Sequence, residues 1–127
     1  MSSLFQECVR TAQSYNPKHS QRNGYRHYSF IVQSDKILGW DTNHDGPCLY
    51  GYKPYQKTHA ENNAYFKCKT FLDKKKPFTV INIRLNKQGN LRMSAPCNCC
   101  VAWLRKLKCA TVYFSVSDNI GFAKIKI

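Results

Sequence analysis

Two short motifs hold the residues best suited to chemistry: His59-Ala60-Glu61, and Pro96-Cys97-Asn98-Cys99-Cys100. One imidazole (His59) and two thiolates (Cys97 and Cys100) give zinc three protein ligands and leave a fourth position for water, which is the layout of a catalytic site. Cys97 and Cys100 are spaced so that both sulfurs can face one metal from the first turn of a helix. Pro96 just ahead of that turn has a fixed φ suited to a helix start and no N–H to leave unpaired. A helix N-terminus also favours thiolate over thiol. Glu61 lies two residues from His59, close enough to reach the bound water without ligating the metal. Alone, a C-x-x-C pair is as often a redox pair or half of a structural zinc site. A structural site here would need Cys68, Cys99 or Cys109 as a fourth ligand and would have no use for Glu61.

These residues must be positioned by secondary structure, which the hydrophobic pattern outlines. Residues 2 to 14 place Leu4, Cys8 and Ala12 on one helical face, ended by Asn16-Pro17. After an Asn23-Gly24 turn, Tyr25 to Gln33 and Lys36 to Asp41 read as strands joined by a tight Ser34-Asp35 turn. Residues 42 to 58 read as one long loop, punctuated by Gly46-Pro47, Gly51 and Pro54. A helix is expected from His59 to Leu72, with Thr58 and Glu61 as its capping box. Phe78 to Leu85 is β-branched and apolar, a central strand, followed by a turn over residues 86 to 90. Leu91-Arg92-Met93 leads to a second metal helix running to about Lys108, with Leu104 and Leu107 inward and Trp103 off that face as a surface or partner contact. Ala110 to Ser115 and Ile120 to Ile127 are the last strands, and so short a linker makes them an antiparallel hairpin. The order is α-β-β-α-β-α-β-β: an α/β sandwich with a five-stranded mixed sheet and both metal helices on one face. Tyr28, Phe30 and Trp40 are expected in the core.

At 127 residues the chain is expected to be a single domain with one core. Its start at Met1 and the absence of linker composition suggest a whole protein. Seven cysteines is an odd number, the first residues lack the pattern of a signal peptide, and no run approaches a membrane span. A reducing, cytoplasmic setting is expected, with free thiols. The formal net charge is +13, and from Gly46 onward 15 Lys and Arg stand against Glu61, Asp73 and Asp118. Such a balance on a small domain is the footprint of a polyanion binder, although a merely solvated basic surface has the same composition.

The motifs, in their order, resemble those of the cytidine deaminase superfamily, whose zinc signature is H-x-E followed by P-C-x-x-C. The resemblance covers about Tyr25 to Ile127. It looks closest to nucleic-acid deaminase domains of bacterial polymorphic toxins and their viral or phage relatives, through the stretch Asn86 to Cys97 and through Val112-Tyr113-Phe114-Ser115. It implies Zn2+ held by His59, Cys97 and Cys100, with Glu61 shuttling protons. It also implies that the carbonyl of Ala95 accepts the exocyclic amine and that the N–H of Ala60 meets the pyrimidine carbonyl. Water activated at the metal would attack C4 of cytosine and give uracil; adenine is the less favoured base. The sequence departs from free-nucleoside deaminases: Trp40-Asp41-Thr42-Asn43 holds no Asn-x-Glu pair, and no Arg-Gln follows Cys100. It also lacks the Trp-Ser before Pro-Cys of AID/APOBEC enzymes, and its final turn is too short for their last helix or that of tRNA adenosine deaminases.

The segment before the first motif supplies a candidate substrate wall. Tyr50, Tyr52 and Tyr55 alternate with Lys53 and Lys57, interleaving aromatic faces for stacking with cations for phosphate. Asn43 is placed to bond the sugar. Lys74 to Lys76, Arg105-Lys106 and Lys108 are candidate phosphate tracks, each alone more often a solvated face. The leading expectation is a deaminase of cytosine in single-stranded DNA or RNA, acting as a monomer; as a toxin it would have an immunity protein as partner. The alternatives are a deaminase of free cytidine, deoxycytidine or nucleotide, and a non-catalytic zinc module that binds nucleic acid.

Overall fold

Alternation of side chains along two neighbouring strands sets the layers of the molecule. A computed structural model of the chain describes residues 1–16, 25–45, 57–117 and 121–127. In chain order its elements are α1 (Ser2–Tyr15), β1 (Tyr25–Gln33), β2 (Lys36–Thr42), β3 (His44–Asp45), β4 (Lys57–Thr58), α2 (Ala60–Cys68), β5 (Phe78–Asn86), β6 (Leu91–Arg92), α3 (Asn98–Lys106), β7 (Cys109–Ser115) and β8 (Phe122–Lys126). On β1 and β5, Tyr28, Phe30, Val32, Ile81, Ile83 and Leu85 pack with Phe5, Cys8, Val9 and Ala12 of α1. The opposite parity, Ile31 on β1 with Phe78 and Val80 on β5, packs with Ala64 and Cys68 of α2 and Leu104 of α3. The result is three layers: α1, the sheet, then α2 and α3 side by side.

The sheet runs β2-β1-β5-β7-β8, and β6 pairs with β5 off that path. Only β5 and β7 are parallel; the neighbouring pairs, including the final β7–β8 hairpin, are antiparallel. The parallel pair needs a crossover, and α3 lies within it. One edge of β5 is shared. β7 pairs with Phe78 to Asn82, and β6 takes over at Arg84 and Leu85.

The architecture is the expected mixed α/β sandwich, with β6 as a sixth strand. The long loop read over residues 42 to 58 is tied at its ends by a two-residue antiparallel ladder, His44 opposite Thr58 and Asp45 opposite Lys57. The α2 helix begins at Ala60 with His59, not Thr58, as N-cap, which moves Glu61 into the second helical position and dissolves the expected capping box. It ends at Cys68 and tightens into a 3₁₀ turn over Lys69–Phe71. Trp103 is half-buried against Tyr65 and Phe66. The turns at Asn16-Pro17 and Asn23-Gly24 and the linker around Asp118 fall wholly or partly outside the described residues. Within them, Asn16 is buried, donates to the Asn86 carbonyl and accepts from the Tyr28 hydroxyl, which fastens the end of α1 to the sheet. Ser34 and Asp35 both have positive φ (53° and 61°), which a two-residue hairpin requires if its twist is to match the strands.

Gly39 on β2 shows how closely the sheet approaches α2. A Cβ there would stand 2.7 Å from the Cys68 sulfur, well inside contact distance. Gly39→Ala is therefore expected to lower stability by about 1–3 kcal/mol. Cys68→Ala in the same chain should recover part of that loss, and a double-mutant cycle of urea midpoints measures the coupling.

Candidate active site

Both metal motifs sit at helix starts for the same reason. His59 (φ −79°, ψ 151°) and Cys97 (φ −72°, ψ 164°) are the N-caps of α2 and α3, in extended conformation, and each gives its carbonyl to the first helical bond, from Asn63 and Val101. Neither side chain caps its own helix. They turn instead toward each other and toward Cys100, one turn along α3. The His59 Nδ1 lies 3.3 Å from the Cys100 Sγ and 3.7 Å from the Cys97 Sγ. All three ligand atoms lie within 4.8 Å of one another, and among the described residues no further His, Cys, Asp or Glu joins them. Cys68, Cys99 and Cys109 are thus outside the cluster, which removes the fourth ligand that a structural site would take from them.

The donor set fits zinc. Tetrahedral bonds of ordinary Zn–S and Zn–N length put a sulfur and a nitrogen about 3.5 Å apart, and the observed separations of 3.3 and 3.7 Å lie on either side of that. Without a cation, a thiolate at Cys100 is disfavoured. Burial pushes the Cys100 thiol far above its ordinary range, and the nearby Glu61, Cys97 and Cys99 push it further. A bound cation would reverse the balance. Cys97 is exposed and Cys100 fully buried, so the cluster spans the boundary between solvent and core.

Glu61 stands beside the cluster and outside it. Its side chain is 2 % exposed, and its Oε2 accepts a hydrogen bond of 3.0 Å from the Nδ2 of Asn82. Asn82, on β5, also donates to the Ser94 carbonyl (3.3 Å), and its Oδ1 accepts from the Ser29 hydroxyl (2.6 Å). The Ser94 carbonyl can only accept, so the amide orientation is set by the network itself. Ser94 and Ser115 complete the arrangement where β6 and β7 part along β5. The Ser94 hydroxyl donates to the Asn82 carbonyl and accepts from the Ser115 N–H, and the Ser115 hydroxyl donates to the Arg92 carbonyl and accepts from the Arg84 N–H. Two hydroxyls thereby stand in for the ladder bonds that the divergence removes.

The other expected residues fall unevenly. Ala60, buried, is the first residue of α2, where N–H groups have no partner within the helix. Ala95 is exposed in the extended stretch between Ser94 and the metal cysteines. Asn43 follows β2, and its Oδ1 accepts from the His27 N–H, so its side-chain carbonyl serves the β1–β2 edge. Tyr50, Tyr52, Lys53 and Tyr55 lie outside the described residues; Lys57 is placed in β4, with its side chain outside the description. Sequence reasoning missed Asn82, Ser29, Ser94, Ser115 and His27. Asn82 left a signal: it interrupts the apolar run Phe78 to Leu85 at a position facing the metal helices, and a buried amide needs partners.

His27, on β1, faces the same side of the sheet. Burial, then the charges of Arg84 and His59, lower its pKa from 6.5 to about 4. This imidazole is therefore neutral at neutral pH.

In these respects the molecule has the cytidine deaminase-like fold, with a His/Cys/Cys cluster and a buried glutamate at the starts of α2 and α3. It is similar to the crystal structures of dCMP deaminase from the cyanophage S-TIM5, in apo form and in complex with dCMP and dUMP. The TM-score is 0.59 for both, with 15% and 16% sequence identity, covering 88% of this chain and 82% and 80% of those chains. It is similar too to cytidine deaminase from Burkholderia pseudomallei, with a TM-score of 0.60 and 15% identity over 94% of this chain and 91% of that one. No protein-family model matches the sequence, and no curated protein matches it in sequence.

Two outcomes follow from this geometry. Asn82→Ala leaves buried partners at Glu61, Ser94 and Ser29 unpaired and is expected to cost about 1–3 kcal/mol in urea unfolding, while zinc content measured on the folded variant stays at the wild-type level. His27 binds fewer protons folded than unfolded between pH 6.5 and about 4. Its contribution is complete above pH 6.5 and is lost on acidification through that window, at most about 3 kcal/mol. Unfolding midpoints of metal-free protein across pH 4 to 7 should therefore fall less steeply in His27→Gln.

Proposed function

We propose that the protein is a zinc-dependent hydrolytic deaminase that converts cytosine to uracil in nucleic acid, with single-stranded DNA or RNA as substrate. The observation that carries the catalytic part is Glu61: buried, oriented by Asn82 and beside the ligand cluster without joining it. Its place outside the cluster, with a hydrogen bond from Asn82, supports the reading that Glu61 moves protons and does not ligate the metal. His59, Cys97 and Cys100 would hold zinc, which supplies an acidified water and a Lewis acid. Glu61 accepts a proton from the attacking water and delivers it to N3 of the base. Glu61 next takes the proton of the new C4 hydroxyl and gives it to the amine; the C4–N bond breaks, ammonia leaves, and a C4 carbonyl remains. The Ala95 carbonyl accepts from the departing amine, and the Ala60 N–H holds the pyrimidine carbonyl. The neutral imidazole of His27 adds no positive charge beside the cluster.

The polymeric substrate rests on charge: +13 over 127 residues is far more than a single phosphate demands. One observation favours a second reading, deamination of free deoxycytidine nucleotide: the fold is similar to that of the cyanophage enzyme seen with dCMP and dUMP. Single- and double-stranded DNA, RNA, cytidine, deoxycytidine and dCMP, offered in parallel to zinc-loaded protein, separate the two. Conversion of a polymer with free compounds untouched is expected; conversion of free compounds alone would establish the second reading. Glu61→Ala should lose at least about 100-fold in rate while retaining zinc. A zinc module without catalysis would show no turnover in either protein.

A further inference from the structure

We infer that a single strand leaving the active site runs along the groove between α2 and α3 and is held at its far end by a lysine pocket, so that the chain has a second phosphodiester-binding site remote from the zinc ligands. This rests on the nucleic-acid reading above and extends it to a path. The pocket has a volume of about 210 Å³, and its walls include Lys69, Lys74, Lys76, Lys106 and Lys108, with Asp73 as the one acid. Two lysine runs some thirty residues apart in sequence converge there, where the C-terminal ends of α2 and α3 meet the start of β5.

The pocket is built on an ordered turn. The Gln33 side chain, buried under it, donates to the carbonyls of Asp73 and Lys76 and accepts from the Asp73 N–H. The Asp73 carboxylate braces the same turn by accepting from the Lys75 N–H. Lys108 Nζ donates to the Lys74 carbonyl and ties the two runs together. Lysines presented from a braced turn lose less freedom on binding than those on a frayed one.

Between pocket and metal cluster lies an aromatic step. Helix α2 starts beside His59 and reaches the pocket after about nine residues, about 14 Å of helix. Along that length Phe66 and Trp103 stack with ring centroids 6.1 Å apart, both partly exposed, and Lys69 Nζ lies 4.9 Å from the Phe66 ring centre. Cys99, Trp103 and Lys106 follow each other at helical spacing down α3, and Phe66 and Lys69 stand three residues apart on α2 and its continuation. An aromatic step leading to a cationic pocket is what a sequence-tolerant single-strand path requires. The competing role for these lysines is to balance the negative ends of two helices, which would make them matter for stability alone.

The test is binding of short labelled single-stranded DNA and RNA to the full chain, in a Glu61→Ala background so that turnover does not enter. Lys74→Gln, Lys76→Gln and Lys106→Gln are combined, and the corresponding three Lys→Arg changes form the control. With three phosphate contacts removed, affinity at low salt should fall by about tenfold or more, and the slope of log affinity against log salt should become shallower by about two. The arginine control should keep both. A folded glutamine triple, with its thermal midpoint recorded, that binds with wild-type affinity and salt slope overturns the path. Failure of the deaminase reading would show in the turnover assay and leave this binding result standing.

Discussion

The side chain of Asn82 is the contact on which the site depends. It lies at the middle of the central strand, fully buried, and joins three elements that are far apart in sequence: β1 through Ser29, α2 through Glu61, and the stretch leading to Cys97 through Ser94. Two of the partners can only accept, so a flip of the amide would set its oxygen against the Glu61 carboxylate and the Ser94 carbonyl. A slip of β5 by one residue would send Asn82 to the α1 layer and leave Glu61 buried without a donor. The register of the sheet and the aim of the glutamate are therefore a single constraint.

The same network explains why β6 and β7 can part without exposing the backbone. Serine hydroxyls satisfy the groups freed at the junction, and the opening lets the chain run from Ser94 past Ala95 to the α3 N-cap. Close beside it, His59 and Cys97 forgo the side-chain capping that helix starts usually favour. That omission is a local cost at the two helix starts that ligation of the freed side chains would offset. No described helix is long and apolar enough to cross a membrane.

Much of this was legible from residue types and spacing. The strand from Tyr25 to Gln33 and the helix at Ser2 could be read because alternation and the 3.6-residue period are local signals. The Thr58 cap was misplaced because capping is decided by the dihedral of the residue whose side chain is free, and the metal cluster claims His59. The strand β6 was read only as a lead-in, since two residues carry no period. The runs Lys74 to Lys76 and Arg105-Lys106 with Lys108 were candidate phosphate tracks, each alone more often a solvated face, and only the packing of α2 against α3 gives Lys74, Lys76, Lys106 and Lys108 a common pocket.

By itself the sequence determined the candidate donor set: an imidazole and two thiols in a fixed order, a glutamate two residues from the histidine, and a strongly positive charge. These follow from composition and short spacing, which folding does not alter. The tertiary structure alone decided that Asn82 orients Glu61, that Asn43 gives its side-chain carbonyl to β1, and that no third cysteine reaches the cluster among the described residues. Each of these depends on which residues meet across more than about fifteen positions of chain. Such meetings are set by strand order and register, and those emerge only when the whole sheet buries its two faces.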